Sequence, residues 1–299
     1  MRDATLRERI RTPHALRDFG IRALTAVAIG AVLVIADLWG TMLVWAAAVA
    51  LVAAACVVEF YGLMRTERRK PNEVFGVIAV AAMPVAAGLY ATHLVAGSGA
   101  STSSELGAIG LTAVLGGLIL AALLWHIVFP QVTASDTATT VFGALYVGFT
   151  LAHLVLLRAL DSGAELVLIT LAGVWAMDVI AYLVGSAIGR RPLAPRISPN
   201  KSWEGFAAGA LATVLVWGLG WWLIRGASSA PLWWFLLIGV AAAVGGVLGD
   251  LAESRLKREV RAKDSGSLLP GHGGFLDRFD SLIFVSVVVY YMLLFGGAK

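Results

Sequence analysis

One polar stretch near the end of the chain concentrates side chains that bind metals and phosphates. It covers residues 249–281, with the sequence GDLAESRLKREVRAKDSGSLLPGHGGFLDRFDS. Carboxylates recruit divalent cations, and Mg²⁺ typically takes one or two of them together with phosphate oxygens. Lysine and arginine neutralise phosphates, and glycines let backbone N–H groups approach an anion closely. The combination predicts a metal–polyphosphate site rather than a plain solvated loop.

The first part of this stretch predicts one polar face of a helix. If the preceding apolar helix continues past the membrane, Asp250, Ser254, Lys257 and Arg258 follow one another at helical spacing and share a face. The second part is rich in glycine and ends in an acidic and basic cluster. Its candidate residues are Lys263, Asp264, His272, Gly273, Gly274, Asp277, Arg278 and Asp280.

A second polar cluster lies inside an apolar run, in the segment AMDVIAYLVGSAIGR at residues 176–190. A charge within a membrane helix is costly, so Asp178 should face protein, water or an ion rather than lipid. Tyr182 follows four residues later on the same helix face. The alternative interpretation is a buried acid that is paired for packing only.

A third cluster, RISPNKSWEG at residues 196–205, connects two apolar runs. Ser198 begins a turn sequence, and Ser202 is positioned to cap the next helix, with Glu204 in its first turn. Lys201 brings positive charge beside that helix N-terminus, which would suit a phosphate. The alternative is an ordinary basic loop at a membrane surface.

Composition predicts the class of protein. The 299 residues have a mean hydropathy of +0.83 and only 14% charged residues, against about 25% in soluble domains. Apolar runs long enough to cross a bilayer recur along the chain. We therefore expect an all-α polytopic integral membrane protein with nine spans, at about 21–39, 41–63, 74–96, 107–129, 138–158, 166–188, 205–224, 231–249 and 279–296.

The distribution of basic residues predicts the orientation. With a cytoplasmic N-terminus, all of the 23 lysines and arginines except Arg158, Arg225 and Lys299 fall on the cytoplasmic side. Nine spans then place the C-terminus outside. We expect a basic cytoplasmic segment at 1–20, N-terminal transmembrane helices at 21–137, and catalytic helices at 138–299 with cytoplasmic loops 189–204 and 250–278.

The motif at residues 254–280 resembles the signature of the phosphatidate cytidylyltransferases, also called CDP-diacylglycerol synthases. That pattern runs serine, any residue, apolar, Lys-Arg, four residues, Lys-Asp, then a spacer to Pro-x-His-Gly-Gly-apolar-x-Asp-Arg-apolar-Asp, and every fixed position is present. The surroundings of Asp178 and of Lys201 are similar to the family as well. Asn200 stands where many members carry lysine. The resemblance is strong over about residues 170–285.

The resemblance implies a reaction of CTP with phosphatidate that gives CDP-diacylglycerol and pyrophosphate, with Mg²⁺ and a monovalent cation such as K⁺. It implies a homodimer in the cell membrane with its active site facing the cytoplasm, and we expect no nucleic-acid partner. It assigns Asp250 and Asp277 as metal ligands, with Asp280 and Asp264 as second choices. Phosphates would be held by Lys257, Arg258, Lys263, Arg278, His272, Gly273 and Gly274. The cavity wall would be Asp178, Tyr182, Ser198, Lys201 and Ser202, and the substrates would also contact Glu204 and Ser254.

Two other functions stay open at this point. One is a related CTP-dependent membrane enzyme that acts on a polyprenol or on an ether lipid, which would share the spans and the metal. The other is a transporter with an ion site at Asp178, which predicts broken helices or an inverted repeat. The sequence contains no Gly-Lys dipeptide, so a P-loop is excluded.

Overall fold

The computed structural model describes residues 28–95, 101–226, 230–262, 264–266 and 274–296, without the side chains of residues 93–95 and 101–109. The predicted site residues Lys263, His272 and Gly273 lie outside this part of the chain. Within it, the chain folds into membrane-type helices joined by short connections. They are α1 (Ala28–Trp39), α2 (Met42–Thr66), α3 (Glu73–Val95), α4 (Ser101–Val128), α5 (Ala134–Arg158), α6 (Gly163–Ile188), α7 (Trp203–Ile224), α8 (Leu232–Glu259) and α9 (Leu276–Phe295).

The helical architecture confirms the predicted class. Helices α2 to α9 are each long and apolar enough to cross a membrane, and α1 is the described part of the predicted first span. Helix α8 extends ten residues beyond the predicted end of its span, to Glu259, so the polar stripe that begins at Asp250 is helical as expected. The orientation of the termini stays a prediction.

A small hairpin between α6 and α7 was not predicted. Strand β1 (Pro192–Ala194) pairs antiparallel with β2 (Ser198–Ser202), and Pro192 lies opposite Ser202. The predicted turn at Ser198 is wrong by a few residues: Ser198 begins strand β2, and residues 195–197 form the turn of the hairpin. Ser202 is the last residue of strand β2 and also caps α7. Its hydroxyl accepts the Gly205 N–H at 3.1 Å. The hairpin holds the residues just before α7 against the end of α6.

Glycines let the helices that carry the polar clusters approach closely. A Cβ on Gly205 of α7 would lie 2.6 Å from the Ala181 carbonyl oxygen and 3.1 Å from Gly185 Cα on α6. A Cβ on Gly249 of α8 would collide with the backbone carbonyl of Asp280 on α9. Small residues at such contacts are typical of membrane helix pairs. Asp250 is therefore brought beside Asp280 by the glycine that precedes it.

An ion pair joins α1 and α5 at the ends of these helices that lie away from the hairpin. Arg158 Nε lies 3.0 Å from Asp37 Oδ1, and its guanidinium also donates to the Gly40 carbonyl oxygen at 2.8 Å. The Asp37 side chain is fully buried. Arg158 is one of the three basic residues predicted to lie opposite the cytoplasmic side. Its contacts with Asp37 and Gly40 fix the turn between α1 and α2.

We predict that Gly249→Ala destabilises the protein. The added methyl group meets backbone atoms that cannot rotate away, and overpacking of this kind costs about 1–3 kcal/mol. Gly116→Ala is the matched control, since nothing lies within 4 Å of a Cβ at Gly116. The free energy of unfolding in mixed detergent micelles measures both. Equal values for the two variants would contradict the close contact of α8 with α9.

Candidate active site

The three polar clusters meet at one cavity of about 330 Å³. Its wall is formed by α6, the hairpin, α7, α8 and α9. The polar residues in the wall are Asp178, Tyr182, Asn200, Lys201, Ser202, Asp250, Asp277, Arg278 and Asp280. The fold thus unites residues separated by as much as a hundred positions in the chain. A cavity of this size with converging polar groups is the usual form of a ligand site.

One group of acids surrounds Lys201. Lys201 Nζ lies 2.5 Å from Asp250 Oδ2, and the Ser254 hydroxyl donates to Asp250 Oδ1 at 3.2 Å. Asp178 and Asp280 are close enough to Asp250 and to Lys201 to interact with them electrostatically. Three neighbouring carboxylates repel one another, and a bound cation would relieve that repulsion. We call Asp178, Asp250 and Asp280 the cavity acids.

A second group of acids surrounds Lys257. Its Nζ lies 2.5 Å from Asp277 Oδ1 and 2.5 Å from Glu253 Oε2. The contact with Glu253 is an ion pair rather than a well-directed hydrogen bond. The side chains of Lys257 and Asp277 are each 13% exposed and that of Glu253 is 1% exposed. Lys257 therefore pairs with two acidic side chains of the protein, and its contact with phosphate stays a prediction.

Asp277 organises the loop that precedes α9. Its Oδ2 accepts the N–H of Gly274 at 2.8 Å, the N–H of Ser265 at 3.0 Å and the Ser265 hydroxyl at 3.0 Å. The Gly274 N–H, which was predicted to contact phosphate, is used inside the protein in this structure. The Ser265 hydroxyl also lies 3.1 Å from Glu59 Oε2 on α2.

In the part of the chain that the structure describes, Ser254, Lys257 and Gly274 lie outside the cavity wall, and so do four other predicted residues. Arg258 reaches toward the Ile197 carbonyl oxygen at 3.5 Å. The Glu204 carboxylate accepts the N–H groups of Arg190 and Arg191 at 3.1 and 3.2 Å, which closes the base of the hairpin. The remaining two are Ser198, on the hairpin, and the exposed Asp264.

Two residues of the site, Glu59 and Glu253, were missed from the sequence. Glu253 lies four residues before Lys257, a spacing at which opposite charges pair on a helix, and that signal was available. Glu59 is an acid inside an apolar run, and the argument that singled out Asp178 applies to it equally. Its partners lie more than 200 residues away, so no local pattern connects it to the site.

The acids of the wall fit a magnesium ion. Asp250, Asp277 and Asp280 all line one cavity, and carboxylate oxygen is the ligand type that Mg²⁺ prefers. Within the described ranges, no three acidic, histidine or cysteine side chains converge closely enough to hold a metal by themselves. This arrangement suits Mg²⁺, which takes one or two carboxylates and completes its shell with water and phosphate oxygens.

A second, more apolar cavity of about 300 Å³ shares part of its wall with the first. The two have Asp178, Asp277 and Arg278 in common. The rest of its wall comes from α1, α6 and α9: Ile29, Gly30, Leu33, Leu171, Trp175, Val179, Phe279 and Leu282. The pair of cavities is therefore polar at one end and apolar at the other.

We predict that Lys257→Met lowers the free energy of unfolding by about 3–5 kcal/mol, because it leaves two buried carboxylates without their cation. Arg255→Met is the matched control on the same helix. Arg255 pairs with Glu259 at the same spacing, but those side chains are 61% and 57% exposed, and such pairs contribute less than about 1 kcal/mol. Denaturation of both variants in mixed micelles tests this, and a loss of less than 1 kcal/mol in Lys257→Met would contradict the buried cluster.

Comparison with known proteins identifies relatives of this chain. A phosphatidate cytidylyltransferase of Mycobacterium bovis is 32% identical over 94% of this chain and 90% of the relative. Enzymes of the same name from Bacillus subtilis and Brucella abortus are 39% and 42% identical. These two alignments span 54% and 52% of this chain and little more than half of each relative, 60% and 56%.

The pattern of the cytidylyltransferase family matches residues 20–295. The match includes the N-terminal helices as well as the signature region, and it contains every residue of the cavity wall. The resemblance inferred from the polar motifs is thereby confirmed: the chain belongs to the cytidylyltransferase family.

Proposed function

We propose that the protein is a phosphatidate cytidylyltransferase that converts CTP and phosphatidate into CDP-diacylglycerol and pyrophosphate. The observation that carries the proposal is the one cavity that Asp178, Lys201, Asp250, Asp277 and Asp280 line together. The names of the relatives support the same activity. The polar cavity suits a triphosphate, and the apolar cavity beside it suits a lipid.

The reaction is an in-line displacement at phosphorus. An oxygen of the lipid phosphate attacks the α-phosphorus of CTP, the new P–O bond forms, and the bond to the bridging oxygen breaks as pyrophosphate leaves. The lipid phosphate is already an anion, so the step needs no general base. Catalysis then rests on positioning and on neutralisation of charge. Lys201 and Arg278 are the basic side chains of the cavity wall that would hold the phosphates.

We propose that Mg²⁺ is held by Asp250 and Asp277, with Asp280 and Asp178 adding negative charge beside it. A bound Mg²⁺ would neutralise phosphate oxygens of the triphosphate. Lys201 and Lys257 each contact one of the two proposed ligands, and their ammonium groups would retain the carboxylates in position. A monovalent cation beside the magnesium stays a prediction.

We propose that the acyl chains of phosphatidate occupy the apolar cavity. Arg278 lines both cavities and would bind the lipid phosphate at their junction. The side chains of Trp175 and Val179, which line this cavity, are also exposed, as an opening toward the bilayer requires. The lipid would enter sideways, and CTP would enter from the side of the hairpin.

The basic residues favour a cytoplasmic active site in the cell membrane, where CTP is available. The homodimer is likewise a proposal carried by the family resemblance. A polyprenol kinase or an ether-lipid enzyme remains the alternative activity, because it would use the same nucleotide and metal. The product of the reaction distinguishes these enzymes.

We predict that purified protein forms CDP-diacylglycerol from CTP and phosphatidate only with Mg²⁺. Asp250→Asn and Asp277→Asn each remove one proposed metal-binding carboxylate. Each variant should therefore lower turnover by about 10²–10³-fold. The control is Asp161→Asn. Asp161 is exposed and lies two residues before α6, at the end of that helix away from the hairpin. Radiolabelled CTP measures turnover, and near-normal turnover in Asp277→Asn would remove that residue from the metal. Phosphorylation of a polyprenol in place of phosphatidate turnover would favour the alternative enzyme.

We predict that Gly30→Leu raises the KM for long-chain phosphatidate. A Cβ at Gly30 would lie 3.2 Å from the Trp175 ring, so a leucine fills the apolar cavity and displaces one or two methylene groups. At about 0.8 kcal/mol each, the KM should rise roughly 4–15-fold for dipalmitoyl substrate and stay unchanged for a dihexanoyl one. Gly117→Leu on α4 is the control, since nothing lies within 4 Å of that position. An equal effect on both chain lengths would contradict the proposed acyl site.

A further inference from the structure

Glu59 connects the N-terminal helices to the loop that carries the signature motif. It lies on α2 and is 4% exposed. Its Oε2 accepts the N–H of Leu276 at 2.9 Å and lies 3.1 Å from the Ser265 hydroxyl. Leu276 is the first residue of α9, so this carboxylate binds the N-terminus of the helix that bears Asp277.

Two described glycines of the loop lie against this carboxylate. A Cβ at Gly266 would lie 2.5 Å from Glu59 Oε1. A Cβ at Gly274 would collide with the Ser265 hydroxyl oxygen and would lie 2.5 Å from Glu59 Oε2. The second glycine of the His-Gly-Gly motif is thus packed against Ser265 and against α2, a helix far from the motif in sequence.

Glu59 and Asp277 share the Ser265 hydroxyl. Its oxygen lies 3.1 Å from Glu59 Oε2 and 3.0 Å from Asp277 Oδ2. A hydroxyl has one hydrogen and donates to one carboxylate at a time. The Leu276 N–H also donates to Glu59, and Asp277 also accepts the N–H groups of Gly274 and Ser265 and contacts the ammonium group of Lys257. A displacement of Glu59 would therefore be transmitted to Asp277 through Ser265 and through the first turn of α9.

We infer that Glu59 is a positioning residue for catalysis. Through Ser265 and the start of α9, it fixes the orientation of the Asp277 carboxylate at the cavity wall. In the part of the chain that the structure describes, Glu59 is absent from the cavity wall, so it acts through the loop and does not touch substrate. The inference rests on the proposed cytidylyltransferase activity. It gives α2 a role in the reaction that its apolar sequence does not suggest.

The test compares Glu59→Leu with Glu59→Gln. Leucine keeps the volume but removes both acceptor oxygens, whereas glutamine keeps one acceptor for the Leu276 N–H and the Ser265 hydroxyl. Misplacement by about 1 Å can reduce turnover 10²-fold, so kcat should fall on the order of 10²-fold in Glu59→Leu, with the KM for CTP within about threefold. Glu59→Gln should restore kcat to within about tenfold of the wild type.

Asp136→Leu is the matched control. Asp136 is equally buried, at 4% exposure, and accepts the N–H groups of Lys70 and Thr133 within the N-terminal helices. It should lower stability without changing kcat. An equal loss of kcat in Asp136→Leu, or an unchanged kcat in Glu59→Leu, would overturn the inference. A wild-type protein without cytidylyltransferase activity would instead overturn the proposed function.

Ser265→Ala keeps the inference testable if Glu59→Leu does not fold. This change removes only the hydroxyl between the two carboxylates. It should lower kcat about tenfold, and the effects of Ser265→Ala and Glu59→Gln should be non-additive, because both act on one hydrogen-bond network. Additive effects on kcat would show that Glu59 and Asp277 are not coupled through Ser265.

Discussion

Charged groups buried inside the helix bundle must find partners there, and the site is arranged around this requirement. Removal of one partner of a buried pair is strongly destabilising, because it leaves the other charge buried and uncompensated. Lys257 meets the requirement for Glu253 and Asp277. Lys201, carried in by the hairpin, meets it for Asp250. The hairpin is therefore part of the electrostatic structure of the site rather than a simple connection.

Pairing at these distances depends on how closely the helix backbones approach. Gly205 allows α7 to contact the backbone of α6, and Gly249 allows α8 to contact the backbone of α9 at Asp280. Larger residues would separate the helices and leave each carboxylate to face lipid or an empty space. The same glycines that pack the bundle thus bring the cavity acids within range of one another. Packing and charge are consequently two aspects of one constraint.

Much of the fold could be predicted from the sequence, because hydropathy is a local property that the bilayer imposes on every span. The polar motifs also indicated residues that line one cavity in the structure, since acids and bases are rare in such a chain. The hairpin was not predicted, because its strands are three and five residues long and carry no alternating pattern. Glu59 was missed for a different reason. Its partners Ser265 and Leu276 become neighbours only when α2 packs against the end of α9.

The structure also shows which groups of the polar clusters bind one another. From sequence, every base and glycine of the signature is a candidate for phosphate. Lys257 and the Gly274 N–H bind Asp277, and Lys201 binds Asp250, so each of these groups pairs with a carboxylate of the protein. A lysine that binds phosphate from this arrangement has to keep its carboxylate partner or exchange it for the phosphate. The opposite charges of so dense a motif therefore hold one another in place as well as offering contacts to a ligand.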